Sequence, residues 1–275
     1  MEFSFDTRAT LLTQDTTSYE PEIAAQWHNN QRLIREQLIH LFGADSFERK
    51  LEDFIALGPA PWSVIARHNL FLNHIRMSFA SGAYYASLVA AGALGERILN
   101  QLVITLRNDY QSHPATARVA KKDSFQNWHT MLTALSGWGV VGADVRKKFE
   151  DLCDLRNKAS HYDSRLTLDG TDARPEALEA VRLAQSIISS IFAPHGGPPV
   201  YIDGIVGQSF IAREREDDPL IKHFFIPASV LVSPQHEWHH VGDGAGVMLD
   251  DETYHFRHPE LSDVEFANHV AGKHD

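Results

Sequence analysis

The chain has 275 residues, is 43% hydrophobic and 22% charged, and contains one cysteine and no run of eighteen apolar residues. This composition is typical of a globular protein with a buried core, and it argues against a disulfide framework and a membrane-spanning helix. The first residues lack the positive and apolar regions of a secretory signal, so we predict a cytoplasmic location.

The net charge of -11 is unevenly distributed along the chain. Residues 1–60 hold 5 Lys and Arg against 10 Asp and Glu, residues 61–194 hold 15 against 12, and residues 195–275 hold 5 against 14. Only the middle block therefore has a positive balance, of +3. A phosphate backbone could approach this block, whereas the acidic flanks suit control or assembly better than RNA binding.

Residues 1–60 are predicted to form an N-terminal helical extension. The polar stretch 7–19 is typical of a loop or extended chain. Apolar residues at helical spacing then predict one helix from Pro21 to about Gly43 and a shorter one from Ser46 to Leu57, which ends at a Gly-Pro pair.

Residues 61–194 are predicted to form a helical bundle. Five segments have helical periodicity: Ser63–Phe79, Ser81–Tyr110, Ser124–Trp138, Asp144 to about Tyr162, and Pro175–Phe192. The second is rich in alanine and glycine, which let neighbouring helices approach closely, so we expect it to be the central helix.

Residues 195–275 have a different character and are predicted to form a small acidic, β-rich subdomain. Short runs with strand propensity are separated by Gly, Pro and Asp: Val200–Ile202, Ser209–Ala212, Phe224–Val232, Gly246–Leu249 and Tyr254–Phe256. The predicted fold class is therefore mainly α, a helical bundle with an N-terminal helical extension and a C-terminal β-rich subdomain.

The stretch from Arg156 to His161, Arg-Asn-Lys-Ala-Ser-His, holds the residues best suited to chemistry. An arginine fork binds phosphate oxygens, and a histidine titrates near neutral pH and can transfer protons. Because the ribose 2′-OH of RNA is an internal nucleophile, such a set could cleave RNA without a metal. The alternative is that these residues are simply the polar face of an amphipathic helix.

Helical geometry brings only part of this set together. Asn157 and His161 are four residues apart and share a face, because each residue turns the helix by about 100°. Arg156 and His161 are roughly 140° apart on an ideal helix. The arginine therefore needs a long reach, a break near Ser160 or a second subunit to act with the histidine.

The Leu-Arg-Asn-Lys-Ala-Ser-His-Tyr stretch resembles the R-N-x-x-x-H form of the HEPN superfamily motif. The run from Gly82 to Glu96, Gly-Ala-Tyr-Tyr-Ala-Ser-Leu-Val-Ala-Ala-Gly-Ala-Leu-Gly-Glu, is similar to the long second helix of HEPN domains. The similarity covers residues 62–193. It implies a small helical bundle that pairs across a dimer interface and, in active members, a metal-independent endoribonuclease of toxin–antitoxin or antiphage systems.

The resemblance also implies roles for individual residues. Arg156 would hold the scissile phosphate, Asn157 would orient the site, His161 would be the general acid or base, and Glu96 would orient Arg156. The products would be a 2′,3′-cyclic phosphate and a 5′-OH. No cofactor or metal is implied, and the expected partners are RNA, a second copy of the chain (as a homodimer or higher homo-oligomer) and an antitoxin or regulatory protein.

Lysine and arginine residues near the motif could add phosphate contacts or could be solvated helix faces. They are Arg146, Lys147, Lys148 and Lys158. Two other functions stay open: an inactive HEPN-like binding or regulatory subunit, and a metal-dependent hydrolase based on tail histidines such as His239 and His255.

Overall fold

The computed structural model describes residues 6–120, 127–160, 173–193, 215, 217–228, 238–242 and 245–248. These residues are mainly helical, as the sequence predicts. The α-helices are α1 Arg8–Leu12, α2 Pro21–Phe42, α3 Phe47–Ala56, α4 Ala66–Ala80, α5 Tyr84–Leu106, α6 Trp128–Gly137, α7 Ala143–Ser160, α8 Arg174–Phe192 and α9 Ile226–Ala228. A 3₁₀ helix covers Pro114–Arg118, a π-helix covers Ile221–Phe225, and the antiparallel strands β1 Trp238–Gly242 and β2 Ala245–Met248 form a hairpin.

Helix α5 is the central helix of the bundle, which confirms the prediction made from its small residues. It packs against α4, α6, α7 and α8. Twelve of its residues are buried, including the fully enclosed Ile98, Leu99, Leu102 and Leu106. A helix that is apolar on so many sides is stable only when other helices surround it.

The buried apolar residues form two clusters. The larger one joins α4 to α8 and extends to Leu220–Phe225, where the Phe224 ring meets the Phe192 ring edge-on with centroids 5.7 Å apart. The smaller one joins α1, α2 and α3 to Ala80 at the end of α4. The N-terminal helices thus share a small core with the end of α4, and the division of the chain at residue 60 stays a prediction.

Two predictions of secondary structure are wrong, one near the N-terminus and one at the start of α6. The stretch 7–19 contains helix α1, because Ala9 is buried against α3 and tertiary packing outweighs the polar composition. Helix α6 begins at Trp128 and not at Ser124, since the Asn127 side chain caps it by accepting hydrogen bonds from the backbone of His129 and Thr130. Ser124 itself lies outside the described residues.

The predicted strand Phe224–Val232 is also wrong over its described part, which forms the π-helix and α9. Ile221, Phe224 and Phe225 are spaced to share one helical face and are buried in the bundle core. A short apolar run does not distinguish a strand from a buried helical turn. The predicted strand Gly246–Leu249 overlaps β2. One hairpin does not make a β-rich subdomain, so the subdomain predicted for 195–275 stays a prediction.

Candidate active site at the crossing of helices α5 and α7

Helices α5 and α7 touch through glycines. A Cβ atom placed on Gly92 would lie 2.5 Å from Arg156 Cγ and 2.6 Å from Arg156 Cβ, distances that real side chains do not show. One turn along, a Cβ on Gly95 would lie 2.8 Å from Leu152 Cδ2. The aliphatic stem of Arg156 therefore lies directly on the α5 backbone, in a notch that only glycine leaves open.

Among the described residues the Arg156 guanidinium has two polar partners, and both contacts are long. Nη2 lies 3.5 Å from Glu96 Oε2, and Nη1 donates to Asn157 Oδ1 at 3.2 Å. The Arg156 side chain is 34% exposed, and that of Glu96 is 17% exposed. A guanidinium has five N–H donors, so this arrangement leaves the fork able to bind an incoming anion.

Glu96 thus contacts the arginine that the resemblance predicts it to orient. Gly92 stands four residues before Glu96, so both lie on the face of α5 that contacts α7. The carboxylate fixes one edge of the guanidinium and balances its charge while no ligand is bound.

Asn157 links the arginine to the single cysteine of the chain. Its Oδ1 atom accepts from Arg156, and its Nδ2 atom lies 3.5 Å from Cys153 Sγ. Burial raises the pKa of the Cys153 thiol, although the contact with Asn157 acts in the opposite direction. A protonated, buried thiol is a packing group and not a nucleophile.

The C-terminal end of α7 lies against the N-terminal end of α5. The Tyr85 hydroxyl donates to the Ala159 carbonyl at 3.3 Å, while the Tyr85 side chain is largely exposed. The described part of α7 ends at Ser160, so His161, the next residue, lies outside the described residues. The structure therefore places Arg156, Asn157 and Glu96 together and leaves the position of His161 as a prediction.

The four basic residues predicted to contact RNA differ in whether they form an ion pair. Three of them pair with a carboxylate one turn away on α7: Arg146 with Glu150 at 2.9 Å, Lys148 with Asp144 at 2.6 Å, and Lys147 with Asp151. Such pairs are typical of a solvated helix face, the alternative considered for them. Lys158 is exposed and follows Asn157 directly.

A second arginine–carboxylate cluster, which sequence analysis missed, is closed. Asp53 is fully buried and accepts from Arg49 at 2.9 Å, from the Tyr84 hydroxyl at 2.7 Å and from Arg174 at 2.7 Å. It joins α3 to the start of α5 and the start of α8. We name these four residues the Asp53 cluster and name Glu96, Arg156 and Asn157 the Arg156 cluster.

A buried histidine is held in a similarly closed arrangement between α4 and α5. His68 is fully buried, with Nδ1 3.2 Å from Ser63 Oγ and Nε2 3.2 Å from Gln101 Oε1. Burial lowers the pKa of His68 to about 4, and the nearby positive charge of Arg97 acts in the same direction. Although a serine, a histidine and a glutamine meet here, no substrate could reach them.

No protein-family model, curated protein or solved structure matches the chain. The resemblance to HEPN domains therefore rests on the residues of the motif and on their arrangement alone.

Other candidate sites have less support. Arg107 and His113 form a second arginine–histidine pair with a spacing similar to that of Arg156 and His161. His113, however, caps the 3₁₀ helix by accepting a hydrogen bond from the Ala115 backbone at 3.2 Å. Among the described residues no group of three His, Cys, Asp or Glu side chains could hold a metal ion, and the side chains of His239 and His255 lie outside the described part of the chain. None of the helices in the described ranges is long and apolar enough to cross a membrane.

One signal for this site was present in the sequence without its meaning being clear. Gly92 interrupts a helix rich in alanine, where glycine costs about 1 kcal/mol relative to alanine. A glycine at such a position often marks a close approach. Its partner, Arg156, lies 64 positions further along, and only the fold reveals the pairing.

Proposed function

We propose that this protein is a metal-independent endoribonuclease of HEPN type, acting as a toxin or antiphage effector. The observation that supports it best is the Arg156 cluster, in which the stem of the arginine is fixed by Gly92, its side chain is one-third exposed, and its guanidinium has long contacts to Glu96 and Asn157 among the described residues. This is the arrangement expected of an arginine that binds a phosphate.

In the proposed reaction the 2′ oxygen of a ribose attacks the adjacent phosphorus and the bond to the 5′ oxygen breaks. A proton leaves the 2′ oxygen and a proton joins the 5′ oxygen, so a 2′,3′-cyclic phosphate and a 5′-OH form without net proton change. Arg156 stabilises the phosphorane charge, and Asn157 and Glu96 hold its guanidinium. His161 is proposed to transfer one of the two protons.

The test is cleavage of an end-labelled RNA pool in the presence of excess EDTA. Arg156→Ala is expected to lower the rate by about 10²–10³-fold, because a preorganised donor to the transition state is lost. His161→Ala is expected to lower it by about 10²–10⁴-fold. Arg146→Ala, which removes a paired arginine of the same helix, is the matched control and should leave the rate within a few-fold of wild type.

The chemistry of the ends makes the test specific. Substrate with a 2′-O-methyl group at the cleaved nucleotide should resist cleavage, and the product should carry a 2′,3′-cyclic phosphate. Cleavage that requires a divalent metal, or that survives in Arg156→Ala, would contradict the proposal.

A second candidate function is an inactive binding or regulatory subunit of a defence or toxin–antitoxin complex. The observation in its favour is the pairing of Arg146, Lys147 and Lys148 with carboxylates, which removes much of the charge that would attract RNA to α7. Absence of cleavage by the chain alone and with its genomic partner, with RNA binding no tighter than that of Arg156→Ala, would favour this function.

We further propose that a second copy of the chain covers the open face of α5 beside Arg156. Tyr85, near the N-terminal end of α5, has a large aromatic side chain that is 55% exposed. Sedimentation should show a dimer that Tyr85→Arg disrupts. Ile23→Arg, which changes an apolar residue of α2 that is 47% exposed, is the control, and a monomeric wild-type chain would contradict the proposal.

A further inference from the structure

A groove runs between α4 and α5 on the side of α5 that faces away from Arg156. Its volume is about 440 Å³. The lining residues follow the i, i+3, i+4, i+7 pattern on both helices: Phe71, His74, Ile75 and Ser78 from α4, and Ala90, Ala93, Leu94 and Arg97 from α5. The groove therefore lies between two continuous helix faces, one from α4 and one from α5.

The lining of the groove is mainly apolar. Ala90 and Ala93 leave the space open, since a methyl group fills little of the gap between the helices. The Arg97 guanidinium lies over the Phe71 ring, with Cζ 5.2 Å from the ring centroid. Guanidinium planes and aromatic rings are surfaces on which nucleobases stack.

The polar atoms at the groove favour an anion with hydrogen-bonding edges. Arg97 supplies a positive charge, the Ser78 hydroxyl can donate or accept, and the exposed imidazole of His74 can do the same. Helix α4 contains no aspartate or glutamate, and the single carboxylate of α5, Glu96, is paired with Arg156. Neither helix that forms the groove therefore repels an anionic ligand.

The groove and the Arg156 cluster share helix α5. Ala93 directly follows Gly92, and Arg97 directly follows Glu96. The two arginines therefore flank α5, separated by about one helix diameter of 10 Å. A strand that presents one phosphate to Arg156 could place a neighbouring nucleotide in the groove.

We infer that the groove binds one nucleotide, with the base against Ala90, Ala93 and the Phe71–Arg97 pair, and with its phosphate at Arg97. Ser78 and His74 contact the edge of the base. The nucleotide could be a residue of the RNA next to the cleaved bond, an assignment that rests on the proposed function, or a free mononucleotide.

The test is calorimetric titration of the full chain with AMP, GMP, CMP and UMP. At least one of them should bind with a Kd of about 1 mM or below. Ribose 5-phosphate, which lacks the base, and the matching nucleoside, which lacks the phosphate, should each bind at least ten-fold more weakly. Equal binding of ribose 5-phosphate would overturn the inference, since the base would then have no role.

Two variants address the two halves of the groove. Ala93→Phe fills it and Arg97→Gln removes its charge, and each should weaken nucleotide binding at least ten-fold. The matched controls are Ala25→Phe and Arg118→Gln, exposed residues of other helices that should leave binding unchanged. Arg156→Ala should also leave mononucleotide binding unchanged. Loss of binding in Arg156→Ala and not in Ala93→Phe would overturn the inference.

RNA cleavage separates the two sources of the nucleotide. If the groove reads the RNA, wild type should prefer one base beside the cut, and Ala93→Phe should cleave without that preference. If nucleotides bind through the groove but no RNA is cleaved, the inference stands for free nucleotides and the proposed function fails. If RNA is cleaved with a preference that Ala93→Phe retains, and no mononucleotide binds, the inference fails and the proposed function stands.

Discussion

The Asp53 cluster and the Arg156 cluster are both made of arginine and carboxylate at a crossing of α5, yet they differ in every contact. In the Asp53 cluster the carboxylate is fully buried and accepts three hydrogen bonds of 2.7–2.9 Å. In the Arg156 cluster the carboxylate is 17% exposed and contacts the guanidinium at 3.5 Å. The arginine side chains of both clusters are exposed to a similar extent, 42% for Arg49, 38% for Arg174 and 34% for Arg156, so the clusters differ in the burial of the carboxylate and in contact length.

The difference indicates which ion pair serves the fold, and it supports the proposal that the other can bind a ligand. A buried carboxylate must have all its hydrogen-bonding capacity used, because an unpaired buried charge is costly. A half-exposed pair with long contacts contributes little to stability and can exchange its partner for a substrate. Contact length and burial, and not the presence of an arginine and an acid, thus separate the two roles.

Removal of the Asp53 carboxylate is expected to have the largest effect on stability. Asp53→Ala removes three short hydrogen bonds to a charged group and should lower the free energy of unfolding by about 3–5 kcal/mol. Urea unfolding at pH 7 measures this. A loss below about 1 kcal/mol would mean that the Asp53 cluster is no more structural than the Arg156 cluster.

The closed arrangement of His68 predicts a dependence of stability on pH. The folded-state pKa of about 4 lies below the ordinary value of 6.5, so the unfolded chain binds the proton first as the pH falls. The contribution of neutral His68 to the free energy of unfolding is fully present above pH 6.5. As the pH falls from 6.5 to 4, the free energy of unfolding should decrease by about 3 kcal/mol.

His68→Gln, which cannot titrate, is the reference for this measurement. Unfolding free energies of both proteins, compared from pH 7.5 to pH 4, should converge as the pH falls. Parallel curves would show that His68 is not held in the neutral form by its surroundings.

The notch at Gly92 tests how firmly Arg156 is held. Gly92→Ala places a methyl group within 3 Å of the Arg156 stem and should destabilise the protein by about 1–2 kcal/mol, the cost of overpacking less the gain in helix propensity. Gly142→Ala, where a Cβ meets nothing within 4 Å, is the control and should stay within about 0.5 kcal/mol. Equal effects would mean that α7 moves freely over α5.

The smallest effect on stability is expected for Glu96. Glu96→Gln should change the free energy of unfolding by less than about 1 kcal/mol, because the pair is partly exposed and long. If the proposed function holds, the same variant should lower kcat more than it raises KM, since Glu96 orients Arg156 without touching RNA. An effect on stability as large as that of Asp53→Ala would remove the distinction between the two clusters.

The sequence predicted the open cluster better than the closed one. Arg156 and Asn157 lie in one short motif, and the resemblance added Glu96. The partners of Asp53 are 31 and 121 positions further along the chain, apart from Arg49, and no local pattern announces them. The same limit applies to the α4–α5 groove, which exists only when two helical faces meet.

Secondary structure followed a similar rule. Long periodic segments such as α5 and α8 were predicted as helices, because their apolar stripes extend over five turns. The bounds of α8 were predicted to within one residue, whereas α5 begins three residues later and ends four residues earlier than the predicted Ser81–Tyr110. Short segments failed where packing or a single cap decides, as with Ala9 in α1, Asn127 before α6 and Phe224 in the π-helix. The helix that bears Arg156 belongs to the first kind, and it contains the motif from Arg156 to Ser160, the last described residue of α7.

The notch at Gly92 also affects the thermodynamics of ligand capture. An arginine side chain that becomes immobilised loses up to about 2 kcal/mol of rotational freedom. For Arg156 the first carbons of the side chain are already confined against α5 in the folded protein, so most of that loss accompanies folding and only the terminal torsions remain to be ordered. A phosphate that meets Arg156 should therefore bind with a smaller entropic penalty than one that meets an exposed arginine such as Arg118.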